Sequence, residues 1–512
     1  MRRSLVRIFA IAALLFASVP GFAASHGGTL TIVSTAIGAT SLGYGAMGRN
    51  VQSQFYERPV SETLLRWDSA GLPSPWLATG WEISDDLSSI TFTIRKGVKF
   101  HDGTDFNAEA VKFNFEKLIE AGRPAMENVS SVEVTDDYTV QVNLTKWNNG
   151  FLHQMCGAEG AMSSPTAIEL HGDTIGQNPV GTGPFKFVSW QPDILIEYEK
   201  FDDYWQDGKP FLDAINIRII QDPITAVLTF RSDEADVIAK VPLSEVSPLD
   251  ETGKYNLIKV PWAPFGVVFD SADPNSPFSD IRVRRAISHS IDWDTIMTAI
   301  TFGYDIPINQ GAPPEAWAYN PDVVGYPYDP EKARQLLAEA GYDNGFETKL
   351  SFSSKEPIKS IFTAMQGYFS DVGIDAEINI VSPAAYWTMD TETGWEGMMH
   401  QGYGAVGDWA VAIQGNMTPK GGQFVDLWFP EDASQLVYDA LATPDGDEKI
   451  RLIHEFQKKM IDEHAFLAWG FMGYHFGFEK PYVKNSGIYE VFHTLGRPEA
   501  ARLESMFVDH FL

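Results

Sequence analysis

Residues 75–118, PWLATGWEISDDLSSITFTIRKGVKFHDGTDFNAEAVKFNFEKL, leave the chain few ways to fold. Ile90, Phe92 and Ile94 alternate with Ser89, Thr91, Thr93 and Arg95, the two-residue period of a half-buried strand. His101-Asp102-Gly103-Thr104 supplies Asp-Gly turn chemistry. Asn107 then caps a helix whose apolar stripe is Val111, Phe115 and Leu118, with Gly122 as its stop. The segment reads as strand, turn and helix in close succession.

Upstream, Arg2, Arg3 and Arg7 precede an apolar run from Ile8 to Val19 and small residues at 21–25. This order predicts a signal peptide over residues 1–25, cleaved near residues 23–25. The run is too short for a bilayer span, which takes roughly 20 residues. The one cysteine, Cys156, lies far from the cleavage site, so the protein is not expected to be a lipoprotein. A soluble periplasmic protein is expected. Cys156 also leaves no internal disulfide to form, and its setting, FLHQMCGAEG, suits packing. Formal charge is −30, and removal of the three signal arginines takes it to −33. Such a surface repels nucleic acid and anionic lipid, and no Lys/Arg block offers a phosphate patch. The charge serves solubility or attracts cations, and composition does not choose between them.

Further along, SSVEVTDDYTVQVNL (130–144) has the pattern of a hairpin. NPVGTGPFKFVSWQPDILIEYEKFDDYWQDGKPFLDAINIRII (178–220) holds a Gly181-Thr182-Gly183 path followed by two alternating strands. No Lys-Ser/Thr follows the glycines, so a phosphate loop is excluded, and Trp205 and Ala214 fall where a calcium loop needs carboxylates. In 277–307, Val283, Ile287 and Ile291 share one helical face. In 328–342, Asp329 caps a helix, Pro330 suits its first position and Gly341 ends it. His289 is expected to be structural.

The segment at 75–118, the stretch 178–220 and the pair 277–307 and 328–342 together resemble the large peptide/nickel-type solute-binding proteins of ABC importers, extracytoplasmic solute-binding protein family 5. That resemblance implies an α/β fold with two lobes, the type II periplasmic-binding-protein clamshell with a hinge, in the three-domain arrangement called cluster C. It implies domain I at 26–66, 178–262 and 481–512, a small inserted domain II at 67–177, and domain III at 263–480. The crossings between lobes are expected near Val260–Val268, where PWAPFG suits an extended connector, and near Phe476–Lys484.

The same resemblance places the solute against the loop between Tyr386 and Gln414. There Asp408-Trp409 looks like the aspartate and aromatic residue that hold a peptide's α-amino group. The residues after it, AVAIQG, depart from the familiar form and leave peptide specificity open. Asp408 can accept a charge-assisted hydrogen bond from an ammonium, and Tyr403, Trp387 and Trp409 can stack on a ring or cover a cation. Tyr44 is the expected contact from the first lobe, and Lys355 the candidate partner for a carboxylate. The expected partners are a small-molecule solute, peptide-like or otherwise amine-bearing, and the membrane permease of an importer, with the protein a monomer. A sugar, an opine or a nickel complex is the alternative cargo. No GxSxG, HExxH, SxxK or paired-Cys motif is present, so no catalytic residue, metal site or cofactor is expected, and a secreted hydrolase is the reading from another class.

Overall fold

The computed structural model describes residues 26–36, 38–47, 53, 56–68, 71–314, 316–402, 408–444, 446–484 and 507–508. The expectations for the signal peptide at 1–25 and for Tyr403 lie outside the described residues.

The first strand, β1 (Thr29–Ser34), enters a large mixed sheet. The chain then leaves that sheet to build a separate four-stranded one from β2 (Ala78–Ile83), β3 (Ser89–Ile94), β4 (Val129–Asp136) and β5 (Thr139–Leu144), in the order β2-β3-β5-β4. It returns through β6 (Phe185–Gln191), β7 (Leu195–Lys200), β8 (Ala214–Ile219) and β9 (Val237–Ala239). The long strand β10 (Asn256–Phe269) follows, then β11 (Phe346–Ser353), β12 (Ile374–Val381), β13 (Met398–Gly402) and finally β14 (Ala468–Glu479). The large sheet runs β12-β11-β13-β10-β14-β9-β1-β8-β7-β6, and the short strand Ile306–Pro307 pairs beside β14.

Two strands therefore carry the sheet from one half to the other. β10 and β14 pair antiparallel from Asn256–Glu479 to Val267–Ala468. A strand of 14 residues extends about 45 Å, enough to belong to two lobes at once. The ladder is irregular at Pro261–Ala263 and again at Phe265–Gly266. Proline cannot donate to a ladder, and a bulge absorbs the lost bond while bending the strand. This is the bend between the lobes, so PWAPFG marks the first crossing as expected. The second lies earlier than the expected Phe476–Lys484, because His475 and Tyr474 are the residues opposite Val260 and Pro261. An aromatic strand with little alternation hid its own midpoint.

The inserted sheet is covered by α1 (Ala108–Glu120), where the Asn107 side chain accepts from Ala110 N and Val111, Phe115 and Leu118 are buried against Phe92 and Val140. HDG at 101–103 is a turn, with Gly103 at φ 85° and Thr104 bonded to Asp102. Cys156 is buried in the same core. Gly181 and Gly183 keep their role for a more specific reason than expected: they lie directly against the backbone of Pro59 and Val60. In the second half of the chain, Val283 and Ile287 on α2 (Ile281–Ser290) are buried, Asp329 caps α3 (Pro330–Glu339), and His289 Nδ1 bonds Pro327 O at 2.7 Å.

A methyl group on Gly183 would sit 2.4 Å from Pro59 O and 2.6 Å from Val60 O, where only backbone could yield. Gly183→Ala is expected to lower stability by about 2–3 kcal/mol, read by denaturant unfolding. Beside the crossing, Asp305 is buried and accepts from Tyr474 N at 2.9 Å. Burial pushes its carboxyl up from 3.8 to about 7, against the Tyr474 N–H and the charge of Lys259. The folded state then holds this proton more tightly than the unfolded chain, so Asp305 contributes stability at low pH that is lost as pH rises from about 4 through about 7. Asp305→Asn should remove this slope, so that its stability relative to wild type rises between about pH 5 and about pH 8 in urea titrations.

Candidate functional site

The direction of the strands places the cleft. β1 pairs parallel with β8 and β9, and β9 reaches the crossing strand β14 with Ala239 opposite Gly477, at the end nearest the bend. In the other lobe β11 is parallel to β12 and β13, and β13 ends at Gly402 opposite Phe265, again at the end nearest the bend. Both lobes thus turn the carboxyl ends of their parallel strands toward the same crossing. In open α/β sheets that is where ligands bind, because loops of any length can be attached there without disturbing the ladder.

The sequence candidates among the described residues occupy segments that follow these strand ends, and Asp408, Trp409 and Tyr44 turn into packed interior while Trp387 and Lys355 are exposed. Asp408 is the N-cap of α4 (Trp409–Met417), with Oδ1 accepting from Ala410 N at 2.8 Å, and it is fully buried. Its Oδ2 meets Lys449 Nζ at 2.5 Å and His153 Nε2 at 3.6 Å. Burial alone would push this carboxyl up; the charges of His153 and Lys449, with the bonds from Lys449 and Ala410, outweigh it and hold the group below its ordinary value. The expected ammonium for Asp408 is therefore already supplied from within the chain. Trp409 is 1% exposed and packs in the core with Ile413, Phe456 and Trp469. Trp387 is 56% exposed beyond the end of β12, Lys355 is exposed beyond the end of β11, and Tyr44 packs against Ala167, Ile168 and Ile175.

His153 belongs to the inserted unit, so its contact with Asp408 ties that unit to the lobe of α4. Asn149, four residues earlier, strengthens the tie: its N–H donates to Leu441 O, and its side-chain amide donates to Ala440 O and Thr443 O at 2.7 Å each. These carbonyls end the helix Glu431–Ala442, whose last acceptors have no partner of their own within the helix.

Four side chains near the crossing carry polar or aromatic capacity that sequence reasoning did not single out. Gln401, one residue before the end of β13, is fully buried, and among the described residues neither its Oε1 nor its Nε2 has a hydrogen-bond partner. Trp262 on β10 is 39% exposed and stacks on His475 of β14, with ring centroids 4.9 Å apart. Lys240 follows β9 directly. No motif marks any of the four, and only the crossing signal at 261–266 could have drawn attention to Trp262. His400, the only histidine of the 386–414 loop, is buried with its ring 4.3 Å from Tyr386, and burial pushes its imidazole down to about 3. Among the described residues no group of three or more His, Cys, Asp or Glu is placed to hold a metal, and no helix is long and apolar enough to cross a membrane.

Two lobes joined by two crossing strands, with both sets of strand ends facing the join, define a clamshell solute-binding protein of the type II fold. The chain belongs to the bacterial extracellular solute-binding proteins, family 5, whose middle region it matches over residues 73–423. It is 31% identical over 414 residues to the glutathione-binding protein GsiB of Salmonella choleraesuis (strain SC-B67), covering 76% of this chain and 79% of the relative. Among solved structures it is similar to the ABC transporter-associated periplasmic binding protein DppA from Helicobacter pylori, in complex with the peptide STSA, at 26% identity and TM-score 0.74 over 95% of this chain and 99% of that one. The substrate-binding protein CtaP from Listeria monocytogenes shares the fold, with TM-score 0.82 at 19% identity over 95% of this chain and 100% of that one. Members of this family bind solutes for ABC importers.

Asp408→Ala strands the Lys449 ammonium in a buried site and is expected to cost about 3–5 kcal/mol of stability, while adding Lys449→Met should recover much of that loss. Thermal or denaturant unfolding of the two single variants and the double variant reads the coupling directly. Additive losses would show that the pair does not act as one unit.

Proposed function

We propose that this protein is a non-catalytic, monomeric binder that captures a small peptide-like solute in the periplasm and delivers it to the permease of an ABC importer. Residues 1–25 serve as a cleaved signal peptide without lipid attachment. The three-part division at 26–66, 178–262 and 481–512, at 67–177 and at 263–480 gives the lobes that close on the solute. Support for the cargo class comes from GsiB, named for glutathione, and from DppA, which holds a peptide.

The single observation that carries the reading is Gln401. A buried amide with both ends unbonded costs stability, on the order of 1–3 kcal/mol per unpaired group. A solute with its own peptide group supplies both the donor and the acceptor that Gln401 lacks. Trp262 gives an apolar face for the rest of the solute, and Trp387 and Lys355, exposed after neighbouring strand ends, stand at the cleft mouth. Asp408, balanced by Lys449 of its own lobe, joins the inserted unit to that lobe through His153, which favours the closed arrangement.

Calorimetry with trialanine and with glutathione tests the cargo, and the bound peptide should raise the melting temperature because it binds only the folded state. Gln401→Met is expected to leave the free protein as stable as wild type or more so, and to weaken peptide binding roughly tenfold. Unchanged affinity in Gln401→Met removes Gln401 from the site. Binding of a sugar, an opine or a nickel chelate in place of any peptide overturns the cargo class.

A further inference from the structure

Lys240 is the first residue past the end of β9, and its backbone takes the left-handed conformation at φ 56°, uncommon for a residue with a side chain. Thr35 Oγ1 donates to Lys240 O at 3.1 Å, and Val241 N donates to Phe476 O at 2.9 Å. The residue is thus pinned between the segment after β1 and the crossing strand β14. Its side chain is partly buried, yet no carboxylate among the described residues pairs with its ammonium, in a chain that holds 68 acidic residues. Lys449 and Lys480, the lysines taken deepest into the fold, both have one, in Asp408 and Asp233. Beside Lys240 lies His475, whose imidazole is pushed down to about 3 by burial and then by the Lys240 charge, so it stays neutral and adds no second positive charge there. Trp262, stacked on His475, completes a half-exposed aromatic shelf next to the cation.

We propose that Lys240 is the anion-binding group of the cleft, pairing with a carboxylate of a solute that lies along the Trp262 shelf. This rests on the peptide-binding reading and narrows it: the solute carries a free carboxylate on the side of the β1–β9 lobe, while its amide meets Gln401 on the other. A protein with formal charge −30 repels anionic solutes at long range, so carboxylate capture needs a local cation that no protein carboxylate has already neutralised. A partly desolvated ammonium forms a strong, directional bond with a carboxylate that loses its own water as the lobes close. A solute held from both lobes favours the closed state over the open one, which is how binding and closure become one event.

The test compares trialanine with trialanine amide on wild type, Lys240→Met and Lys240→Arg by calorimetry, with melting temperatures confirming that each variant folds. Wild type should bind trialanine at least tenfold more tightly than the amide. Lys240→Met should lose that preference while still binding the amide, and Lys240→Arg should keep most of it. Equal affinity of wild type for acid and amide, or a preference that survives Lys240→Met, overturns the carboxylate site and leaves peptide binding standing. If neither peptide binds, the cargo reading fails by itself, and Lys240 is judged on acetate. In NMR of the methyl-labelled lysines, the resonance missing from Lys240→Arg should move as acetate is added; a Lys240 resonance that acetate leaves in place overturns the proposal.

Discussion

Everything in this molecule depends on the antiparallel pairing of β10 with β14. It is one hydrogen-bonded ladder, yet its two ends belong to different halves of the large sheet, with β9 beside β14 at one end and β13 beside β10 at the other. A ladder is stiff along its length and compliant where its register breaks. The breaks at Pro261–Ala263 and Phe265–Gly266 therefore decide where the lobes can move, and the prolines there ensure that no regular strand replaces them.

The same pairing fixes the polarity of the cleft. Because β9 and β13 both run toward the bend, the loops after both lobes' strands open into one space. Groups in that space lose water from two sides on closure. Among the described residues Gln401 is the one buried amide with both its atoms unbonded, and Lys240 has no carboxylate beside it. Glu62 shows the contrast. Buried where the inserted unit joins the first lobe, it accepts from Trp76, Thr182, Tyr204 and Trp205 and has no capacity left for a ligand.

The fold was legible in the sequence wherever a local rule acted alone. Asn107, Asp329 and the Val111-Phe115-Leu118 stripe announce their helices because capping and periodicity depend on a few neighbouring residues. The site was less legible, because occupancy of a polar group is decided by residues far along the chain. Asp408 reads as an open carboxylate until Lys449, 41 residues on, is seen to reach it, and His153, from the inserted unit, to approach it. Gln401 and Lys240 carry no motif at all. What marks them is the lack of a partner, a property of the packed molecule that spacing does not express.

The contact between the inserted unit and the far lobe explains how a solute can still govern closure. Its bonds are polar, with Asn149 against three carbonyls and His153 against an aspartate that Lys449 already balances, and its apolar part is small where Gly150 lies against Val411 and Leu441. Such bonds exchange for water on opening, so each contributes only about 1 kcal/mol net, and a few of them leave the closed state close in free energy to the open one. A large apolar interface at the same place would hold the lobes shut whether or not the cleft was filled. With a latch this modest, the balance is set by the groups the protein itself leaves unpaired, and a ligand that satisfies them shifts the population by its differential affinity for the closed state. In the proposed binding mode, incomplete internal pairing at the crossing is thus the feature that makes closure report on the solute.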